Sequence, residues 1–416
     1  MKIRKLFAAV LPALLLCALT GCGSDAQNTD TAAKPAFVLA SDSEFETAQM
    51  TFSLNLLRGC ISAAPDKNVL VSPYSAMQVL GMTANGAAGN TRTEMEQVLG
   101  GISADRLSGY LARQRKSLTK QGGSQFRSTN SLWIREQADG MKLRRKFLKC
   151  TADDYGAESF ILPFDEAARL KINGWCSDHT DGMIPEMLSE PISEDAVMFL
   201  LNAALFDAEW QEKYKEKPEE YLFYANAGKP NSRCQNVMMM RSDETQYLSD
   251  GKASGFLKNY KGGAFAFAAI LPENGTTPEK YLAQTDADAL HKMLCNPRTT
   301  TVHAALPEFT LNASADLAPV LQDMGMKDAF DMAADFSGMT EEPASLFLSA
   351  VQQKTRIEVG LNGTKAAALT EAEIASGIDP DTEDVFLNRP FIYLIVDTDT
   401  MLPVFAGVLN EIPEAE

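Results

Sequence analysis

Gly363-Thr364-Lys365-Ala366-Ala367-Ala368-Leu369-Thr370-Glu371-Ala372-Glu373-Ile374-Ala375-Ser376-Gly377 is the stretch whose reading decides the fold. Read with a period of two, it divides into two sets. Thr364, Ala366, Ala368, Thr370, Ala372, Ile374 and Ser376 are small or apolar and uncharged. Lys365, Ala367, Leu369, Glu371, Glu373 and Ala375 carry every charge of the segment. A strand turns alternate side chains to opposite faces, so this segment could enter a sheet with one clean face buried. The same residues also read as a loop leading into the acidic turn Ile378-Asp379-Pro380-Asp381. Ala and Glu are good helix formers, so an Ala-rich helix stays open from this segment alone. A segment able to be either exposed loop or buried strand is a candidate switch.

Working outward, further motifs follow in a fixed order. Asn68-Val69-Leu70-Val71-Ser72-Pro73-Tyr74-Ser75 precedes Asn85-Gly86-Ala87-Ala88-Gly89-Asn90-Thr91 and Glu96-Gln97-Val98-Leu99-Gly100. Ile172-Asn173-Gly174-Trp175 comes next, then Thr180-Asp181-Gly182-Met183-Ile184, then Leu201-Asn202-Ala203-Ala204-Leu205-Phe206 with Trp210. Ala269-Ile270-Leu271-Pro272, Leu306-Pro307-Glu308-Phe309, Ala334-Asp335-Phe336-Ser337-Gly338 and Asn388-Arg389-Pro390-Phe391 complete the series. Together they resemble the serpin family over residues 45–412. The resemblance implies an α+β serpin fold of three β-sheets and about nine helices, with an exposed reactive-centre loop at about 363–387.

The N-terminus reads as a targeting segment. Lys2, Arg4 and Lys5 precede an apolar run, Leu6 to Leu19, of signal-peptide length and too short for a comfortable membrane span. Leu19-Thr20-Gly21-Cys22 resembles a bacterial lipobox. Residues 1–21 are then a lipoprotein signal peptide, and Cys22 is the lipidated residue that anchors the chain to a bacterial membrane or surface, outside the cytoplasm. A plain secretory signal that happens to hold Cys22 is the alternative. Residues 22–42 are polar and aperiodic, a flexible tether. Residues 43–416 form one domain, the resemblance outweighing a length that alone allows two or three.

The formal net charge of −17 argues against nucleic acid as partner and otherwise describes a soluble surface. Past Cys22, five cysteines remain: Cys60, Cys150, Cys176, Cys234 and Cys295. Their odd number and wide spacing give no disulfide framework and no zinc pattern, so they read as buried free thiols. No metal and no cofactor are expected. Neither is an enzyme. The three histidines, His179, His291 and His303, sit in no triad motif, and neither a Gly-x-Ser-x-Gly elbow nor a phosphate-binding glycine loop occurs.

Periodicity places the coarse elements. Phe45, Ala48, Phe52 and Leu56 predict a helix over 44–60, and Ser75 to Ala84 another. Residues 167–188 predict a helix ending in a turn at Thr180-Asp181-Gly182. The apolar runs Ala196–Phe206, Phe265–Leu271 and Phe391–Val396 suit central strands buried on both faces.

The resemblance implies a mechanical function: irreversible, suicide-substrate inhibition of a serine protease. The protease attacks the loop, forms an acyl-enzyme, and is trapped when the cleaved loop inserts as a new strand. Gly363, Thr364, Ala366, Ala367, Ala368 and Thr370 match the hinge. Ser72, Ser75, Asn202 and Gln353 match the shutter, with Gln353 where the family often has histidine, and Trp210 matches the breach. Ordinary buried packing is the bland reading of all five. Leu361, Asn362 and Lys365 stand where the family usually has acidic residues. Counting in register gives Gly377-Ile378 as the reactive bond, with Ile374, Ala375, Ser376 and Asp379 as alternatives. No basic residue lies between Lys365 and Arg389, which disfavours trypsin-like targets and favours elastase-like or subtilisin-like ones. The partner is thus a target serine protease, in a covalent acyl complex with a monomer. The alternative function is a non-inhibitory serpin-fold binding protein.

Overall fold

The computed structural model describes residues 43–120, 124–137, 141–364 and 382–413, within a compact unit spanning Ala40–Glu416. The expected helices form where periodicity placed them. Helix α1 runs Ser43–Ala63 and α2 Pro73–Ala84. Ser72 caps α2 by accepting from the Ser75 N–H, and Pro73 occupies the first turn, where its missing N–H costs nothing. Helices α3 (Gly89–Val98), α4 (Ala104–Lys120) and α5 (Arg145–Tyr155) follow. Helix α6 spans Glu166–His179, capped by Asp165. It ends where predicted, with Asp181 at φ 51° and Gly182 at φ 75°. Helices α7 (Pro278–Gln284), α8 (Ala287–Cys295) and α9 (Ala318–Asp323) complete nine among the described residues.

A six-stranded sheet takes β2 (Ser124–Arg135), β3 (Glu158–Leu162), β4 (Met198–Glu209), β10 (Phe309–Asp316), β11 (Ala350–Gly360) and β12 (Gly363–Thr364), in the order β10-β11-β12-β4-β2-β3. The other nine strands are β1 (Val69–Val71), β5 (Glu219–Ala225), β6 (Arg233–Ser249), β7 (Ala253–Asn259), β8 (Phe265–Pro272), β9 (Arg298–Pro307), β13 (Thr382–Phe386), β14 (Phe391–Asp397) and β15 (Pro403–Leu409). They form one hydrogen-bonded assembly, so the three expected sheets appear as two. The reason is β6, long enough to serve both smaller sheets. Its first part pairs β5 and β9, a register shift falls between Glu244 and Gln246, and its last part pairs β7.

Strand β4 shows why its apolar run is continuous. Ala204, Phe206 and Ala208 face the core between the sheets, against Phe265, Phe267 and Phe405. Leu201, Ala203 and Leu205 face Ile172, Trp175 and Cys176 of α6. Both faces are dry, so the strand has no polar alternation. The expectation of buried thiols holds for Cys60 and Cys176, while Cys150 is half-buried. It fails for Cys234 and Cys295, which are exposed because one lies on the outward face of β6 and the other ends α8.

Candidate functional site

Strands β11 and β4 run parallel and pair directly over Ala350–Arg356 and Phe199–Leu205. At one end the seam opens and β12 occupies the gap. Gly363 and Thr364 pair with Gly360 and Val359 on one side and with Glu209 and Ala208 on the other. The expected exposed loop is therefore shorter at both ends: Gly363–Thr364 is buried strand, and Thr382–Phe386 is strand β13, parallel to β9. Backbone pairing on both edges of β12 outweighs the loop-like composition of this segment. Ala366, Ala367, Ala368 and Thr370 lie outside the described residues. So do the reactive-bond residues Gly377 and Ile378, their alternatives Ile374, Ala375, Ser376 and Asp379, and Cys22.

Gly363 is required by space as well as by conformation. Its φ is 152°, and a Cβ there would stand 2.1 Å from the Ala208 carbonyl oxygen. Thr364 is 0% exposed, and its Oγ1 shares a 2.7 Å hydrogen bond with the Tyr260 hydroxyl. Burial pushes the Tyr260 phenol well above its ordinary range, so it stays neutral. Tyr260 stacks on Trp210 with centroids 4.5 Å apart. Trp210 Nε1 donates to the Gly360 carbonyl at 2.8 Å, and its backbone N–H donates to Asn362 O at 2.9 Å. Behind Trp210, Lys258 is only 2% exposed, paired with Glu244 at 2.6 Å and 5.5 Å from the indole centroid. Trp210 thus braces the turn from which β12 starts, and Tyr260 holds the strand itself.

Lower on the seam, the four residues assigned to the shutter meet. Gln353 and Asn202 are opposite each other in the β11–β4 register. Gln353 Nε2 donates to Asn202 Oδ1 at 2.9 Å and to the Ser72 carbonyl at 3.0 Å, while its Oε1 accepts from the Ser72 N–H at 2.8 Å. Asn202 Nδ2 donates to Asn130 Oδ1 at 2.8 Å. Ser72 Oγ lies 2.7 Å from the Val404 carbonyl and 2.8 Å from Ser75 Oγ. A carbonyl only accepts, so the single Ser72 proton goes there and Ser75 donates to Ser72. Ser128, 2.7 Å from Ser75 Oγ, is then the donor to it. The cluster joins both sides of the seam to the cap of α2. Opening the seam breaks the Gln353–Asn202 bond and needs a replacement partner, since a buried polar group left alone costs about 1–3 kcal/mol.

Sequence reasoning missed Tyr260, Ser128 and Asn130, which only the β2–β4 register and the bridge from Trp210 to Tyr260 bring in. It also missed the partner of Leu361. Glu308 accepts a hydrogen bond from the Leu361 N–H, and burial raises its carboxyl above the usual range despite that bond. The Leu361 side chain itself packs against the apolar core between the sheets.

The sequence profile of the family described as Serpin (serine protease inhibitor) matches residues 47–412. The chain belongs to the serpin family. Many serpins inhibit serine proteases, some do not, and in general they are not enzymes. Among similar proteins, the leukocyte elastase inhibitor of Sus scrofa is 29% identical over 386 residues, covering 88% of this chain and 99% of its own. The native state of tengpin, a thermophilic serpin, matches with a TM-score of 0.84 at 35% identity, over 89% of this chain and 95% of that one. The latent state of tengpin gives a TM-score of 0.77 at 32% identity, over 90% and 99%.

Proposed function

We propose that this serpin inhibits serine proteases irreversibly, by inserting its cleaved loop between β4 and β11. The observation that carries this is β12: two residues already lie in the seam, while below them β4 and β11 close on each other. The higher similarity to native than to latent tengpin supports a chain whose insertion has begun and stopped. Each further step along the loop moves one residue back along β4 and β11. Continued from Thr364, the register takes Ala366 between Phe206 and Ile357, Ala368 between Ala204 and Thr355, and Thr370 between Asn202 and Gln353. The small residues suit the crowded core side. The Thr370 hydroxyl, donor and acceptor, suits a place where insertion would separate two hydrogen-bonded side chains, Gln353 and Asn202.

The cleavage site near Gly377-Ile378 and an elastase-like or subtilisin-like target remain our reading of the loop's small side chains, in keeping with the name of the porcine relative. Incubation with an elastase-like protease followed by a denaturing gel tests the function. A covalent band at the summed mass is expected. Clean cleavage without a complex would establish the non-inhibitory binding protein instead. We also propose that Cys22 is acylated and anchors the chain at a bacterial surface. A fatty-acid analogue should label the wild type in cells and not Cys22→Ala; equal labelling of both would sink the anchor.

A further inference from the structure

In a chain of formal net charge −17, residues 142–149 read Lys-Leu-Arg-Arg-Lys-Phe-Leu-Lys, five basic side chains and no acid. The run leads into α5 and fills its first turn. Phe147, Thr151 and Tyr155, four apart, are the buried stripe of this helix. Arg145, Lys146, Leu148 and Lys149 take the other positions and are exposed, as are Lys142 and Arg144 just before the helix. Leu148 keeps 40% of its surface free. Arg144 Nε donates to the Ser337 carbonyl at 3.0 Å, and among the described residues none of the five bases forms an ion pair. Glu341, whose backbone N–H donates to the Lys142 carbonyl, is paired with none of them.

Helix packing brings this run to the end of the domain where the chain enters. Helix α1 begins at Ser43, and Glu44 pairs with Arg106 near the start of α4 at 2.6 Å. Phe45 stacks on Tyr110, with centroids 4.9 Å apart. Asn85, just past the end of α2, donates to Ser108 of α4 at 2.9 Å and to the Tyr155 hydroxyl of α5 at 3.1 Å. One residue on, a Cβ at Gly86 would stand 3.0 Å from the Phe147 ring in the first turn of α5. So α2 ends where α1, α4 and α5 begin. Glu44 and Asp105, carboxylates at this end, are each already paired with an arginine, Arg106 and Arg92.

We propose that this end faces a membrane: Lys142, Arg144, Arg145, Lys146 and Lys149 lie against anionic phospholipid headgroups, and Leu148 enters the headgroup layer. The charges are complementary, and the run sits where the chain enters the domain. An anchor at Cys22 would draw this end to the bilayer, and in that respect the inference rests on the anchoring proposed above. The anchor would set the distance, and the basic run would set which face turns to the lipid. The net charge does not forbid this. At physiological salt the field of an exposed charge fades within about 8 Å, so the acidic surface elsewhere is screened while the bases at the contact are not. A soluble polyanion is the competing occupant. An exposed leucine among the bases suits an interface with an apolar interior better than a fully hydrated chain.

The chain from residue 22 onward, carrying Cys22→Ala so that no acyl chain contributes, is mixed with vesicles of phosphatidylcholine alone or with about one-third phosphatidylglycerol, and bound protein is read by flotation. Because the acyl chain is absent, this result and the labelling of Cys22 can fail independently. At low salt the anionic vesicles should bind at least about ten times more tightly than the neutral ones, and the difference should shrink as salt rises. Arg145→Glu combined with Lys146→Glu and Lys149→Glu should remove the difference. Lys215→Glu combined with Lys217→Glu and Lys252→Glu changes three exposed lysines outside α5 and the net charge equally, and should preserve it. Thermal melts report that both variants stay folded. Equal binding to the two kinds of vesicle by the unsubstituted surface would overturn the proposal whatever the variants do. An equal loss in the two variants would overturn it too, since net charge and not this face would then be the cause. Binding to a sulfated polysaccharide with none to anionic vesicles would give the run to a soluble polyanion and end the membrane assignment.

Discussion

Glu308 sits at the backbone N–H of Leu361, a position where this chain departs from the family pattern. Glu308 is half-buried and lies against the turn that launches β12, where burial raises its carboxyl and the Leu361 N–H only partly compensates. A carboxyl whose folded pKa lies above its unfolded value adds stability below the unfolded pKa. That contribution is lost as pH rises through the folded value. Above the carboxylate range, Glu308 is therefore a burden on the turn. Glu308→Gln keeps an acceptor for the Leu361 N–H and removes the charge. The variant should melt about 1–2 °C above wild type at pH 7–8, the half-exposed site keeping the effect small. The advantage should vanish as pH falls through the carboxylate range, and scans at several pH values check this. A gain independent of pH would mean that the charge is not the cause.

Among the elements, the surface-rule helices and doubly buried strands were legible because their periods are set by one dominant force, burial of apolar faces. Phe45, Phe52 and Leu56 mark α1, and the unbroken run in β4 marks a strand with core on both sides. The candidate site was legible in part: Ser72, Ser75, Asn202 and Gln353 do converge, although 281 positions separate Ser72 from Gln353. What the sequence could not carry is register, because pairing partners are distant in the chain and shifting by one residue exchanges the faces. Lys365 is an example. The alternation alone makes it an outward residue that could as well be glutamate. If the cleaved loop inserts as proposed, the register set by Gly363 and Thr364 would carry position 365 between Asp207 and Glu358, two carboxylate-bearing positions. Lysine fits that place and glutamate does not. Lys365→Glu is therefore expected to slow insertion several-fold and to divert more of the protein to simple cleavage. Thr364→Arg, which puts a charge against Tyr260 in a dry site, should abolish trapping at a cost of several kcal/mol. The ratio of covalent complex to cleaved product on a denaturing gel reads both. If Thr364→Arg traps protease as well as wild type, insertion does not begin at β12.

For the whole molecule, the proposed mechanism makes the closed seam an unfinished sheet. Direct pairing of β4 with β11 is parallel, while both flanks of β12 are antiparallel. Inserting one strand replaces a single parallel ladder by two antiparallel ones, each somewhat more favourable per residue. At roughly 1 kcal/mol net for each of about a dozen additional hydrogen bonds, the gain is on the order of 10 kcal/mol. Burial of small apolar side chains at the Phe206 and Ala204 levels adds to it. On the proposed mechanism, a native state with that much stability in reserve would persist only because the seam must open first, its lifetime set by a barrier rather than by its depth. The connected hydrogen bonds of Ser128, Ser75, Ser72, Gln353 and Asn202 would then be part of that barrier, since opening the seam would make them exchange partners together. Cutting the chain once between Thr364 and Thr382 frees the strand from its far attachment without removing an atom of the core. The cut protein should then melt tens of degrees above the intact one. Limited proteolysis followed by calorimetry, with mass spectrometry locating the cut, measures this. A cut protein that melts where the intact one does would show that the sheet is already complete, and the inhibitory mechanism would fall with it.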